Sequence, residues 1–321
     1  MPVVTSLLTR ALSGLRKRRF FHHHLLLFCL LTLTLLSLFP APTSAREALV
    51  VIDYAYSNAR DFHEGLAAVR SGDLWGYIDR LGRVAVPFAY DFPEVGPFSE
   101  GLAFVGDRFI TPKGAVAFEG KTFDAAHPFS EELAAVQTAG RWGYIDKTGN
   151  FSIPATYEGA GPFSEGLAPV QKDGLWGYIN VRGRMRIEPR FLRAEPFSEG
   201  VALVELDGGV GYINAMGALM LPATHSDGGP FGNGLAPVKG RSSYRGWGYL
   251  DLKGRQAIPQ RYNAAGPFRD GLAPVATDAR WGYINVKGHM TLAPLYDEAR
   301  PFREGLAAVR QEGKWGYIKA Q

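Results

Sequence analysis

A single cysteine, Cys29, occurs among 321 residues. Everything downstream of it therefore lacks a disulfide framework and a thiol for covalent chemistry. The 276 residues from Arg46 to Gln321 must instead be held by burial and ladder hydrogen bonds, and they are numerous enough for that. Histidine is scarce too. His22, His23 and His24 sit together near the amino terminus, while His63, His127, His225 and His289 are scattered without metal-ligand spacing. No glycine-rich phosphate loop opens a helix and no nucleophile elbow occurs. Neither a metal nor a cofactor is expected, and no catalytic residue is assigned. Nothing beyond the first 45 residues reads as helix, because glycine and proline, 39 and 21 in the whole chain, arrive every few positions through most of it. That excludes a helical fold for the bulk of the protein.

Residues 1–45 are a different kind of polymer. Arg16, Lys17, Arg18 and Arg19 precede an apolar run from Phe20 to Phe39, closed by Pro40 and small residues to Ala45. This is the anatomy of an export signal helix, with cleavage expected after Thr43-Ser44-Ala45. Its core, Leu25 to Phe39, is short of the roughly 20 residues a spanning helix needs, so contact with a membrane is expected only if the leader stays uncleaved. Phe28 before Cys29 argues against lipidation. Five of the 35 lysines and arginines lie in this leader and no acid does, which leaves 30 basic residues against 31 acidic ones in the remainder. The near-neutral remainder lacks the electrostatic footprint of a nucleic-acid binder. The expected location is periplasmic or secreted.

What the chain does contain is repetition. All six tryptophans occupy one tripeptide: Trp75, Trp142, Trp176, Trp247, Trp281 and Trp315, each followed by glycine and then by Tyr77, Tyr144, Tyr178, Tyr249, Tyr283 or Tyr317. Tyr212 belongs to a seventh copy in which Val210 stands for tryptophan. The common spacing is 34 residues, and a period of that size means an array of supersecondary units. Three apolar runs of strand length recur in each unit. The first follows an acidic-Gly turn pair (Glu64, Glu100, Glu165, Glu199, Asp270 or Glu304 before glycine), the second is the Trp-Gly-Tyr-Ile run, and the third ends in proline and an aromatic, as at Pro154 and Tyr157. Asp or Asn three residues before glycine, as at Asp146/Gly149 and Asn180/Gly183, predicts a hairpin between the second and third runs. Proline within the third run places it at an edge or a bulge.

The fold class read from this pattern is all-β: a tandem array of eight three-stranded antiparallel meanders. The segment from Tyr56 to Phe62 aligns with Tyr296 to Phe302, so the amino-terminal end of residues 46–321 carries the third strand that the last unit lacks. Lending a strand across the termini closes a ring and removes free sheet edges, and a closed propeller-like ring is favoured over an open β-solenoid. The strands are too short, and too rich in proline, for an outer-membrane barrel.

The pattern Phe-Ser-Glu-Gly-Leu-Ala-x-Val, Trp-Gly-Tyr-Ile-Asp, Ile-x-Pro-x-Tyr resembles the WG-repeat family, also called KWG repeats, of which Lys314-Trp315-Gly316 is a literal instance. The resemblance covers about residues 49–321. It implies a largely bacterial family of exported or fused interaction modules with no known reaction, and it brings no catalytic residues with it. Unit two departs from the motif, with Asp107-Arg108-Phe109-Ile110 in its place.

A tryptophan or tyrosine needed in nearly every unit is read as a packing residue of the repeat core. The recurrent acids are read as turn formers. Specific function is expected where the repeat is broken. The largest insertion, in the loop from Lys239 to Gly246, adds Arg241, Tyr244 and Arg245, residue types favoured in contact surfaces. The expected function is an exported, non-catalytic scaffold binding a protein or cell-envelope polymer. The alternative is a glycan hydrolase or lyase with acids at the ring mouth.

Overall fold

The computed structural model describes residues 48–320 apart from 94 and 243–245; the expected signal helix of residues 1–45 lies outside the described residues. Among the described residues every regular element is a β-strand. Seven four-stranded sheets and one two-stranded sheet are arranged as blades of a β-propeller, with antiparallel pairing throughout.

One blade illustrates the rest. Strands Gly159–Ala160, Leu167–Lys172, Leu175–Asn180 and Met185–Phe191 pair in that order. The expected meander of three strands is thus corrected to four. The extra strand is two residues long, below the length at which alternation can be recognised, and forms where the chain leaving one outer strand runs beside the next blade's first long strand. The eight like units are also not what is found. The sheet of Ala103–Val105 and Arg108–Ile110 stops at two strands, because its connecting turn is tight and Pro112, Gly114 and Gly120 break up the segment that follows. Single bridges, Val95 to Val105 and Ile110 to Val116, stand where full strands stand elsewhere.

Between the motif strand and the outer strand the register slips. Trp142 lies opposite Tyr157 and Tyr144 opposite Ile153, which leaves Gly143 facing a bulge that holds Pro154. A Cβ on Gly143 would fall 2.6 Å from the carbonyl oxygen of Ile153 and 2.6 Å from the amide nitrogen of Ala155. The motif needs glycine for this close approach, and the proline needs the bulge because it has no N–H to give to a ladder.

The ring closes across the termini. Strand Leu49–Tyr56 pairs antiparallel with Lys314–Lys319, so the first described strand completes the last sheet. The core consists of apolar clusters between successive sheets, including one that joins Trp315 and Tyr317 to Phe62, Val69 and Ile78. Each motif tyrosine sets its ring against a phenylalanine of the next blade, 4.8 to 5.0 Å away. In the two-stranded sheet Phe109 takes that role against Phe129 at 5.1 Å, supported by Phe118 and Phe123.

Candidate functional site

The acidic-Gly pairs are tight hairpin turns. Glu64 and Gly65 both have positive φ, 53° and 76°, and His63 pairs with Leu66 on either side of them. Two consecutive left-handed residues make a turn of the primed type, which glycine adopts freely and which costs an acidic residue strain. The carboxylate compensates by bonding to its neighbour. Glu165 accepts from the Gly200 N–H at 3.0 Å, Glu199 from Gly234 at 2.9 Å and Asp270 from Gly305 at 2.8 Å. The circle passes through Glu64, Glu100, Glu131 and Asn233, and Glu304 closes it on Gly65 at 3.0 Å. The repeated acids are held in a ring of turn-to-turn bonds.

The residue just before each acidic-Gly pair, or its equivalent, lies near the axis. His63, Ser99, Ser130, Ser164, Ser198, Arg269 and Arg303 line one cavity of 450 Å³. The serines bridge blades: Ser99 donates to the Phe129 carbonyl at 2.6 Å, Ser164 to Phe197 at 2.7 Å and Ser198 to Phe231 at 2.9 Å. Gly232 holds the fifth position of this collar. The three positions that follow in circular order are basic or imidazole: Arg269, Arg303 and His63.

Two residues upstream of the collar the same sector stands apart. Asp61 sits where each of the other seven turns has proline, and Arg60 and Arg300 occupy a column in which glycine is commonest. Arg60, Asp61, His63 and Arg300 line an adjoining cavity of 470 Å³ beside the two-stranded sheet, with Asp124. Arg60 lies over the Trp75 ring at 5.7 Å and Arg300 over Trp315 at 5.1 Å, contacts that hold a guanidinium plane in place.

Charges in this sector are poorly matched. Arg303 reaches Asp61 only at 3.8 Å, and buried Asp61 Oδ1, Arg300 Nε and Arg303 Nε make no hydrogen bond among the described residues. Burial raises the Asp61 carboxyl above its ordinary range despite the attraction of Arg300, Arg303 and Arg60. Burial and the charge of Arg303 lower the His63 imidazole to about 4, and the same two causes lower Arg269. The two cavities together carry four guanidiniums, with Asp61 and Asp124 among their lining residues.

The residues singled out from the sequence fall elsewhere. Arg241 is on an exposed loop, donating to the Ala223 carbonyl at 3.2 Å, beside His225 and Ser242. Tyr244 and Arg245 lie outside the described residues. Trp75 and Trp315 are buried, whereas Trp142, Trp176, Trp247 and Trp281 are half-buried. The motif tyrosines Tyr77, Tyr144, Tyr178, Tyr212, Tyr249, Tyr283 and Tyr317 are all enclosed. Each donates its hydroxyl to a carbonyl of the next blade, as Tyr178 does to Glu195 at 2.8 Å and Tyr212 to Gly229 at 2.8 Å. Burial raises these phenols above their ordinary range and keeps them protonated donors. The axial residues escaped the sequence reading, although the signal was there: arginine or histidine in a column otherwise filled by serine and glycine.

These features define a β-propeller with a polar axial mouth. The WG containing repeat model matches residues 50–75, 75–106, 109–142, 142–176, 176–209, 247–279 and 281–315, and the chain belongs to that family. No match is found among curated proteins. Among solved structures the chain is similar to a eukaryotic initiation factor at 12% identity and a TM-score of 0.53, over 86% of this chain and 85% of that one. It is similar also to PorZ, a bacterial surface component of the type-IX secretion system of Porphyromonas gingivalis, at 9% identity and a TM-score of 0.44, over 85% of this chain and 46% of that one. For Hsv2p of Kluyveromyces lactis the values are 10% identity, a TM-score of 0.45, and 86% and 98% coverage. The first of these likenesses supports the fold, and none carries function.

Proposed function

We propose that the protein is an exported, non-catalytic propeller scaffold that binds a protein or cell-envelope polymer through its rim loops. The observation that carries this reading is the employment of the repeated acids. Their oxygens are taken up by the backbone N–H groups of neighbouring turns, whereas a glycan hydrolase needs two carboxylates facing each other about 5–10 Å apart. Export rests on the basic, apolar and small-residue succession over residues 1–45. Rim binding rests on the insertion that carries Arg241, Tyr244 and Arg245. We read the two-stranded sheet as an eighth unit reduced to its middle pair, since the Val95 and Val116 bridges stand in the places of its missing strands.

The competing enzyme reading draws on Asp61 and Asp124, which line the same cavity. Incubation of the purified protein with cell-wall fragments and polysaccharides separates the two. Retention of polymer without cleavage, weakened in an Arg241→Ala, Tyr244→Ala, Arg245→Ala variant, supports the scaffold. Turnover that disappears in Asp61→Asn or Asp124→Asn overturns it.

A further inference from the structure

The axial sector at the ring closure has a chemistry that neither the fold nor the rim requires. Five of the eight collar positions do their structural work with serine or glycine. At the other three the chain places Arg269, Arg303 and His63 around one opening. The first of these arginines has been given room. A Cβ at Gly232 would lie 2.1 Å from the Phe268 carbonyl oxygen and 2.6 Å from Arg269 Nη1, so the collar's one glycine stands where the neighbouring backbone and the guanidinium both come close. There Arg269 Nη1 donates to the Phe231 carbonyl at 3.2 Å and to its neighbour Phe268 at 3.3 Å, which fixes the plane of the fork. Among the described residues Arg303 has the distant Asp61 for an ion pair, and the Arg300 guanidinium lies over the Trp315 ring.

We propose that Arg269 and Arg303 form a binding site for an oxyanion group, a carboxylate or a phosphate, borne by a small ligand that enters along the ring axis. Preset guanidinium forks match either group through paired N–H bonds. Desolvated like charges held close together repel, and an anion seated between them relieves that repulsion. Asp61 is an internal competitor for Arg303, too distant at 3.8 Å to satisfy it. The site is separate from the rim loop and stands whether or not the rim binds a polymer.

The test titrates the full chain with inorganic phosphate and with succinate, using chloride at matched ionic strength as the control, and reads melting temperature and calorimetric affinity. A saturable upward shift with phosphate or succinate beyond that of chloride is expected, and the stronger of the two arms identifies the source of the oxyanion. In Arg269→Ser, Arg303→Ser, which installs the residue that four other turns carry, affinity falls at least tenfold. The melting temperature of that variant without added anion equals or exceeds the parent's, because a repulsion is removed. Asp61→Asn, which removes the internal competitor, tightens the same anion. The proposal is overturned by a response no greater than that of chloride, by unchanged affinity in the serine variant, or by a serine variant that melts well below the parent without anion, which would make the arginines structural pins.

Discussion

Tyr317 donates its hydroxyl to the carbonyl of Arg60 at 2.7 Å, joining the last motif of the chain to its first turn across 257 residues. Within the array the same bond links Tyr144 to Gly161 at 2.9 Å and Tyr249 to Gly266 at 2.8 Å. Closure therefore uses the joint that holds every other pair of full blades. Tyr317→Phe keeps the ring contact with Phe62 but leaves an enclosed carbonyl without its donor, at an expected cost of about 1–2 kcal/mol. Urea denaturation of this variant and of Tyr178→Phe is expected to give similar losses. A loss at Tyr317 near zero would mean that the termini are held by the strand pairing of Leu49–Tyr56 alone.

The two kinds of glycine in each repeat call for opposite explanations. Gly143 faces backbone atoms at 2.6 Å, whereas Gly174 has φ of +78° and nothing within 4 Å of its virtual Cβ. Gly143→Ala forces two strands apart and is expected to cost about 3 kcal/mol or more. Gly174→Ala meets only left-handed strain, about 1 kcal/mol. Thermal denaturation of the two variants checks the order, and equal losses would refute the close-approach account of the motif glycine.

Tryptophan burial is uneven, and this sets a third expectation. Trp75 is fully enclosed beneath Arg60, while Trp281 is half-buried. Trp75→Ala should cost about 3–5 kcal/mol, and Trp281→Ala roughly half of that, since less surface is returned to water. Denaturant titration with a probe other than tryptophan fluorescence distinguishes them. A larger loss at Trp281 would refute the ranking by burial.

Most of the scaffold was legible because each repeated residue answers a backbone demand. Asp146 and Asn180 cap their hairpins as the Asp-x-x-Gly spacing requires, with Asp146 Oδ1 accepting from the Thr148 N–H at 2.8 Å and Asn180 Oδ1 from the Arg182 N–H at 3.1 Å. Proline in the third run does sit on an outer strand at a bulge. The fourth strand was not legible, since two residues such as Gly159–Ala160 carry no period. Nor was the division of labour within the motif. Tyrosine joins the blades, while tryptophan covers them to differing depths according to whether Arg60, Arg300, His127 or a glycine precedes the proline column. The axial sector was hidden for another reason. Arg269, Arg303, Asp61 and His63 lie at ordinary loop lengths, and only a column-by-column comparison of side chains sets them apart.

The pH dependence of stability is expected to carry the signature of that sector. His63 titrates at about 4 in the folded chain, pressed down by burial and by Arg303, against about 6.5 when unfolded. The unfolded chain therefore takes up a proton that the folded one refuses, so the contribution is complete above pH 6.5 and is lost as pH falls from there toward 4. Screening at a half-buried ring brings the expected loss to about 1–2 kcal/mol. Asp61 acts in the opposite sense. Its carboxyl is raised by burial, so the folded chain holds a proton that the unfolded one has released, and stability falls as pH rises through that window above 3.8. The wild-type profile is a difference of the two, and single substitutions separate them. Urea midpoints at pH 7, 6, 5 and 4.5 should decline less steeply in His63→Ser than in the parent, and more steeply in Asp61→Asn, where the compensating carboxyl is gone. A His63→Ser profile parallel to the parent's would mean that the imidazole titrates as freely in the fold as in the open chain, and that the axial sector exerts no positive field upon it.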